Sequence, residues 1–267
     1  MSQNHATLSV EAFQQEYLEL HARLTSYLFR LTAKRQDAED LAHDTYLKAI
    51  KNLNGFAGKA SLKTWLFAIA TNLARDHHRV QQRWKEDTQD RCREDTQAAP
   101  EKVEKMRAFV AESPAERYEF HEHIDYCFTC IAKSLDIEQQ LTVILREIYG
   151  FKISDIMEIL GQTEGRVKYA LSQARSKLSE IYQRRCELVN KNGACWQCGE
   201  INDFIRPGHS SQQQLHQIEI RKQAESGTAR EKLLDLRFAL IKNFDPFSAP
   251  GAALHEYLLK LMPESVR

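Results

Sequence analysis

The chain has 267 residues, 42% of them hydrophobic and 28% charged, the balance of a soluble protein long enough to bury two small cores. No stretch approaches the roughly 20 apolar residues of a membrane span, and the polar N-terminus lacks the apolar run of an export signal, so a cytoplasmic protein without a membrane span is expected. Lys plus Arg equals Asp plus Glu at 37 each, so any surface for nucleic acid must be a local patch rather than a global charge excess.

Nearly every periodic segment is helical, and the expected fold class is all-α. The chain divides into an N-terminal helical block over 8–80, a polar stretch over 81–119, a second helical block over 120–186 and a C-terminal extension over 187–267. No internal repeat is visible.

In the first block the spacing predicts a helix over 37–53. Ala38, Leu41, Ala42, Tyr46, Ala49, Ile50 and Leu53 follow the i, i+3, i+4 rule and make one buried stripe. Asp37, Asp40 and Asp44 fall opposite it, either as a solvated face or as a docking surface for a basic partner. A second helix follows the Gly55–Gly58 turn, with Trp65, Leu66, Ile69, Ala70 and Leu73 as its core stripe. Asn72, Arg75, Asp76 and Arg79 share the other side. Cations and amides beside aromatic rings suit single-stranded DNA, whose bases stack while its phosphates meet charge.

Residues 81–119 are rich in Gln, Glu, Asp, Arg and Lys and carry little apolar periodicity before Val103. Such a composition buries too little apolar surface to offset chain entropy, so a flexible or partly helical linker is expected.

The second block reads as a helix-turn-helix. A helix over 136–149 turns Leu141, Ile144, Leu145 and Ile148 inward and ends at Gly150; a short helix over 153–160 comes next, then a turn at Gly161-Gln162. Thr163 caps a long helix running to Arg185, with Val167, Leu171, Ala174 and Leu178 buried. A short helix, glycine turn and longer helix make the pattern of a major-groove reader, though a hairpin used only for packing reads the same way. As a reader, it sets Glu164, Arg166, Lys168, Tyr169 and Ser172 near base edges, with Arg175 and Lys177 nearer phosphates.

Six cysteines are present, and four of them form two C-x-x-C pairs, Cys127/Cys130 and Cys195/Cys198. Four such thiolates could hold a tetrahedral zinc, with Cys186 or His209 able to replace one of them. A redox pair or plainly packed thiols are the alternatives, and no other cofactor is called for. Beyond Gly199, Arg230–Ile241 is amphipathic, 254–262 is a candidate last helix, and the tail is a candidate for folding back to hold the chain inactive.

Two segments together carry a family resemblance. Asp37-Ala-Glu-Asp-Leu-Ala-His-Asp-Thr-Tyr, followed by Ser61-Leu-Lys-Thr-Trp-Leu-Phe-Ala-Ile-Ala-Thr-Asn-Leu-Ala-Arg-Asp, resembles region two of the sigma-70 family. The stretch from Leu141 to Leu178, with Leu145-Arg-Glu-Ile-Tyr-Gly and Ile156-Met-Glu-Ile-Leu-Gly, resembles region four. Having only these two regions, joined by a linker, resembles the extracytoplasmic-function group. The resemblance implies two helical domains plus the extension, and a subunit without catalysis of its own. It implies that Asp37, Glu39, Asp40 and Asp44 bind core RNA polymerase through the β′ subunit, with β as a further contact. Lys59, Ser61, Lys63, Trp65, Asn72, Arg75, Asp76 and Arg79 would capture the −10 element of promoter DNA. Thr163, Glu164, Arg166, Lys168, Tyr169, Ser172 and Arg175 would read the −35 element. An anti-sigma factor is a further partner class. The chain departs from the family pattern at Lys152, where a capping Ser is usual, at Met157, and at Lys168-Tyr169-Ala170 in the reading helix. The rival readings are a helix-turn-helix regulator acting without polymerase and a zinc or thiol protein.

Overall fold

The computed structural model describes residues 8–80, 84–102, 104–105, 108, 120–190, 193, 218–242, 244–249, 256–257 and 260. Every regular element among them is helical, in agreement with the all-α expectation. The chain forms two compact units, one of Met1–Gln81 with Ile137–Leu171, the other of Gln82–Asp136 with Ser172–Arg267.

The first unit is built on three helices. Helix α1 (Val10–Thr32) starts where the Ser9 hydroxyl accepts the Ala12 N–H at 3.1 Å, and stops at Ala33, which turns left-handed at φ 58°. Helix α2 (Arg35–Lys51) runs into a 3-10 turn over Leu53–Gly55, and α3 (Leu62–Val80) starts where the Ser61 hydroxyl accepts the Thr64 N–H at 3.1 Å. Phe13, Leu24, Tyr27, Leu28, Leu66 and Phe67 are fully buried between these helices. The stripe on α3 is rotated from the one expected. Leu62, Leu66, Phe67, Ala70, Thr71 and Ala74 are buried, while Trp65, Ile69 and Leu73 are half-exposed. The cause is Phe67, which packs on Tyr27 at 5.0 Å, Tyr149 at 5.7 Å and Phe151 at 4.9 Å and fixes the inward face.

The same unit holds the start of the helix-turn-helix. Helix α6 (Ile137–Val143), which follows α4 (Thr88–Gln97) and α5 (Phe120–Ala132) of the second unit in the chain, opens into a π turn over Ile144–Ile148 in place of the uniform helix expected. The wider turn shifts the phase of the residues after it, so that Ile148, Tyr149 and Phe151 are all buried. Two guanidiniums hold this join. Arg30, only 1% exposed, donates to the Tyr149 hydroxyl at 2.8 Å, and Arg23 donates to the Tyr149 carbonyl at 2.8 Å.

Helix α7 (Ile153–Leu160) and α8 (Glu164–Arg185) flank Gly161, whose left-handed φ of 63° favours glycine there. Lys152 has no acceptor with which to cap α7; instead the Asp155 carboxylate accepts the Lys152 N–H at 3.1 Å, the reciprocal half of a capping box. Residues up to Leu171 of α8 belong to the first unit and the remainder to the second.

The second unit contains α4 (Thr88–Gln97), α5 (Phe120–Ala132), the rest of α8, α9 (Glu219–Glu225) and α10 (Arg230–Ile241). The polar stretch is thus partly helical, and its Trp84 is buried beneath the Lys133 ammonium at 4.8 Å. Helix α10 buries Leu233, Leu234, Phe238 and Ile241, with Phe238 edge-on to Phe128 of α5 at 5.9 Å. Most of the candidate helix over 254–262 lies outside the described residues. No helix among the described residues is long and apolar enough to cross a membrane.

Candidate functional site

Three surfaces collect the residues singled out from the sequence. The first is the outer face of α2. Glu39, Asp40 and Asp44 are exposed there, with Arg35 3.4 Å from Glu39 and Gln36 donating to Asp40 at 2.9 Å. Among the described residues no cation pairs with Asp40 or Asp44. Asp37 does not belong to this exposed row. It is half-buried, and its carboxylate lies 3.2 Å from His77 Nε2 on α3 and 3.9 Å from Lys34. Leu47, three residues after Asp44 on the same face, is 48% exposed and is absent from the residues expected there. Its signal in the sequence is an apolar residue out of phase with the inward stripe.

The second surface is α3 with the loop before it. Lys59 and Ser61 are exposed; the Ser61 hydroxyl is used as the helix cap and also meets Thr64 Oγ1 at 2.9 Å. Lys63 lays its ammonium over the Phe151 ring at 4.4 Å, where burial and then the nearby Arg23 lower its pKa below the usual lysine value. Trp65 is half-exposed against Phe56, ring centres 5.1 Å apart and planes at 42°. Asn72 and Asp76 are exposed, as is Arg79, which pairs with Asp76 at 3.1 Å.

Arg75 is different. Its guanidinium makes a two-pronged bond to Glu138 at 3.0 and 2.8 Å and also donates to the Leu160 carbonyl, at the C-terminal end of α7, from two nitrogens at 3.3 Å. Gln162 adds a bond to the same Glu138 carboxylate at 2.6 Å. A bidentate charged pair of this kind is the strongest hydrogen-bonded geometry a guanidinium offers. Within the first unit, one candidate base-capturing side chain therefore ties α3 to the helix-turn-helix.

The third surface is α8. Thr163, Glu164, Arg166, Lys168 and Tyr169 are exposed, and Tyr169 presents 68% of its surface. Glu164 and Lys168 pair at 2.6 Å, and the hydrogen bond from Lys168 lowers the pKa of the Glu164 carboxyl. Ser172 is exposed. Further along, within the second unit, the cations of α8 meet acids from outside both motifs. Arg175 lies 2.5 Å from Asp235 of α10, with its guanidinium 5.5 Å from the Phe238 ring centre. Lys177 and Arg184 reach Glu86 at 3.5 and 2.8 Å, and Arg185 binds Asp90 at 2.5 and 2.7 Å. Burial opposes ionisation of Glu86, but its bonds to Arg184 and Lys177 outweigh that and lower its pKa. Neither Asp235 nor Glu86 stands out in the sequence, since nothing local links an acid to a helix 60 or 98 residues away.

Of the metal candidates, Cys127 and Cys130 lie on α5, the first buried and the second half-buried; Cys195 and Cys198 lie outside the described residues. Among the described residues no three His, Cys, Asp or Glu side chains gather as a ligand set.

Comparison with known proteins gives two family matches, Sigma-70 region 2 over residues 17–84 and Sigma-70 region 4 over residues 127–178. The ECF RNA polymerase sigma factor SigX of Bacillus subtilis strain 168 is 30% identical over 166 residues, 59% of this chain and 77% of that protein. The ECF RNA polymerase sigma factor SigG of Mycobacterium tuberculosis is 29% identical over 168 residues, again 59% of this chain, but the match spans only 45% of SigG. A co-crystal structure of the sigma factor RpoE with the anti-sigma factor NepR from Bartonella quintana covers 65% of this chain and 98% of that one, at 26% identity and a TM-score of 0.45.

Proposed function

For a chain that belongs to the sigma-70 family of RNA polymerase sigma factors, of the extracytoplasmic-function type, we propose the role of an initiation subunit that binds core polymerase, recognises the −10 and −35 promoter elements and promotes melting, in the cytoplasm. The observation that carries this reading is that one chain presents an acidic helix face and a reading helix with exposed polar and aromatic side chains. Glu39, Asp40 and Asp44 form the electrostatic part of the polymerase contact, and Leu47 supplies an apolar anchor beside them. Charge complementarity there sets the rate and register of docking.

Lys59, Lys63, Trp65, Asn72, Asp76 and Arg79 form the −10 surface. Base stacking and capture contribute about 1–3 kcal/mol per base, against a few kcal/mol to extrude one from the duplex. Opening is therefore driven by binding alone, with no covalent step and no catalytic residue. Arg75 joins this surface once its bond to Glu138 is released. On α8, Arg166, Lys168 and Tyr169 face the −35 bases, while Thr163, Glu164, Ser172 and Arg175 set the position of the helix.

Run-off transcription with core polymerase of the same host, from promoters mapped by pull-down, tests the reading. Promoter-dependent initiation that requires this chain is expected. Specific DNA binding without any polymerase-dependent product would instead identify a free-standing helix-turn-helix regulator.

A further inference from the structure

Placing α8 on the −35 duplex leaves open which base it selects. We propose that Tyr169 is a specificity-determining residue that selects a thymine in the −35 element, packing its ring against the thymine 5-methyl group in a notch left open by Gly165. The proposal rests on the initiation reading and narrows it to one chemical group.

Helix geometry decides which side chains of α8 can reach a base edge. At 3.6 residues per turn each residue advances about 100°, so the buried Val167, Ala170 and Ala174 define an inward side. Gly165, Tyr169 and Ser172 then fall within about 60° of one another, directly opposite that side, and all three are exposed. The centre of the outward face thus carries one large ring with two small residues beside it. Arg166 and Lys168 stand on its two flanks, and Lys168 pairs with Glu164 at 2.6 Å.

Gly165 is the informative member. Its φ is not left-handed, and a Cβ built on it would meet nothing within 4 Å. Neither the backbone nor the packing of the chain therefore calls for glycine, although alanine is much the better helix former. Side chains on a helix lean toward its N-terminus, so residue 169 covers the turn that contains residue 165. Bare backbone at Gly165 leaves a notch there, walled by the Tyr169 ring.

Tyr169 itself keeps 68% of its surface exposed and has no hydrogen-bond or ring partner among the described residues. A single exposed ring is ordinary on a protein surface. Its place at the centre of the outward face, over a backbone stripped of side chain, is what singles this one out.

The chemistry of the major groove then names the occupant. Guanine presents N7 and O6 there, adenine N7 and its amino group, and cytosine its amino group. An aromatic wall replaces none of the hydrogen bonds that those groups make with water. Thymine alone presents an apolar group, the 5-methyl, which a ring can cover without that loss. The small Gly165 and Ser172 let the helix approach closely enough for the contact to form.

The test uses holoenzyme assembled from this chain and core polymerase of its host, on a promoter mapped by run-off transcription. Each thymine of the −35 element, on either strand, is replaced in turn by deoxyuridine, which removes the methyl and leaves base pairing intact. One replacement should weaken promoter binding about fourfold, equivalent to about 0.8 kcal/mol for one buried methyl. Tyr169→Phe should keep this discrimination. Tyr169→Ala, which removes the wall, and Gly165→Leu, which fills the notch, should bind the two promoters equally. Because the methyl is removed from the DNA, discrimination is read within each variant, whatever its absolute affinity.

A change of less than about twofold at every thymine would overturn the proposal. So would discrimination that survives in Tyr169→Ala or is lost in Tyr169→Phe, or a −35 element made of G·C pairs alone. A holoenzyme indifferent to the entire −35 duplex would instead break the underlying reading of α8, whereas one that needs the duplex and ignores the methyl overturns the thymine notch alone.

Discussion

The two units use their acidic side chains in opposite ways. On α2 of the first unit, Asp40 and Asp44 point outward and meet no cation among the described residues. In the second unit Glu86, Asp90 and Asp235 each hold a cation of α8. Composition cannot distinguish the two cases, since all are carboxylates in segments rich in other polar residues. Geometry does so: outward acids are available to a partner, and paired acids compete with one.

The second unit also rests on an aromatic contact between α10 and α5, and this yields the largest expected effect. In the second unit α10 packs on α5 through Phe238 and Phe128. Phe238→Ala should remove about 3–5 kcal/mol from that unit through lost burial and a cavity. In a chain whose units melt separately, only one calorimetric transition should move. If both move equally, the units are one cooperative body.

Acid should discriminate next. His123 of α5 is buried, and burial first, then the charge of Arg237, lowers its pKa to about 4 from an ordinary 6.5. The folded value lies below the unfolded one, so the neutral imidazole contributes its full stability above pH 6.5 and loses it as pH falls toward 4. The loss is on the order of 3 kcal/mol. Hydrogen exchange should show α5 opening over this window before α2 does, and His123→Gln should flatten the difference.

A third measurement probes the outward acids. Asp40→Lys/Asp44→Lys should weaken core polymerase binding roughly 100-fold, because like charges then face a basic partner. The melting temperature should hardly change, since both residues are exposed. An unchanged affinity would mean that α2 is merely a solvated face.

The same contrast explains what the sequence disclosed. The bounds of α7 and α8 were legible to within a residue, because Gly161 and the flanking apolar spacing are local signals. The acidic face was legible apart from Asp37, whose partner His77 lies on another helix 40 residues on and left no trace in the spacing. The phase of α3 was not, because Phe67 is held by Tyr149 and Phe151, which come from the second motif. Arg30 and Arg237 look like surface cations in sequence, yet both are about 1% exposed, buried by an aromatic ring or a sulfur far along the chain. Local rules give elements and their faces. The pairing of a buried charge depends on contacts made only after folding.

The smallest predicted effect is the most direct test of competition. Arg175 shares its charge with Asp235, and Lys177 and Arg184 share theirs with Glu86, all on partly exposed side chains. Exposed pairs contribute about 0–1 kcal/mol, so Asp235→Asn or Glu86→Gln should strengthen duplex binding by only about 2–5-fold at low salt. The salt dependence carries the sharper signal. Each cation released to a phosphate should steepen the slope of log affinity against log salt by about 0.9. A stronger affinity with an unchanged slope would mean that the acids act by general repulsion. Unchanged affinity and slope together would mean that these cations do not touch DNA, leaving the reading surface to the residues around Tyr169.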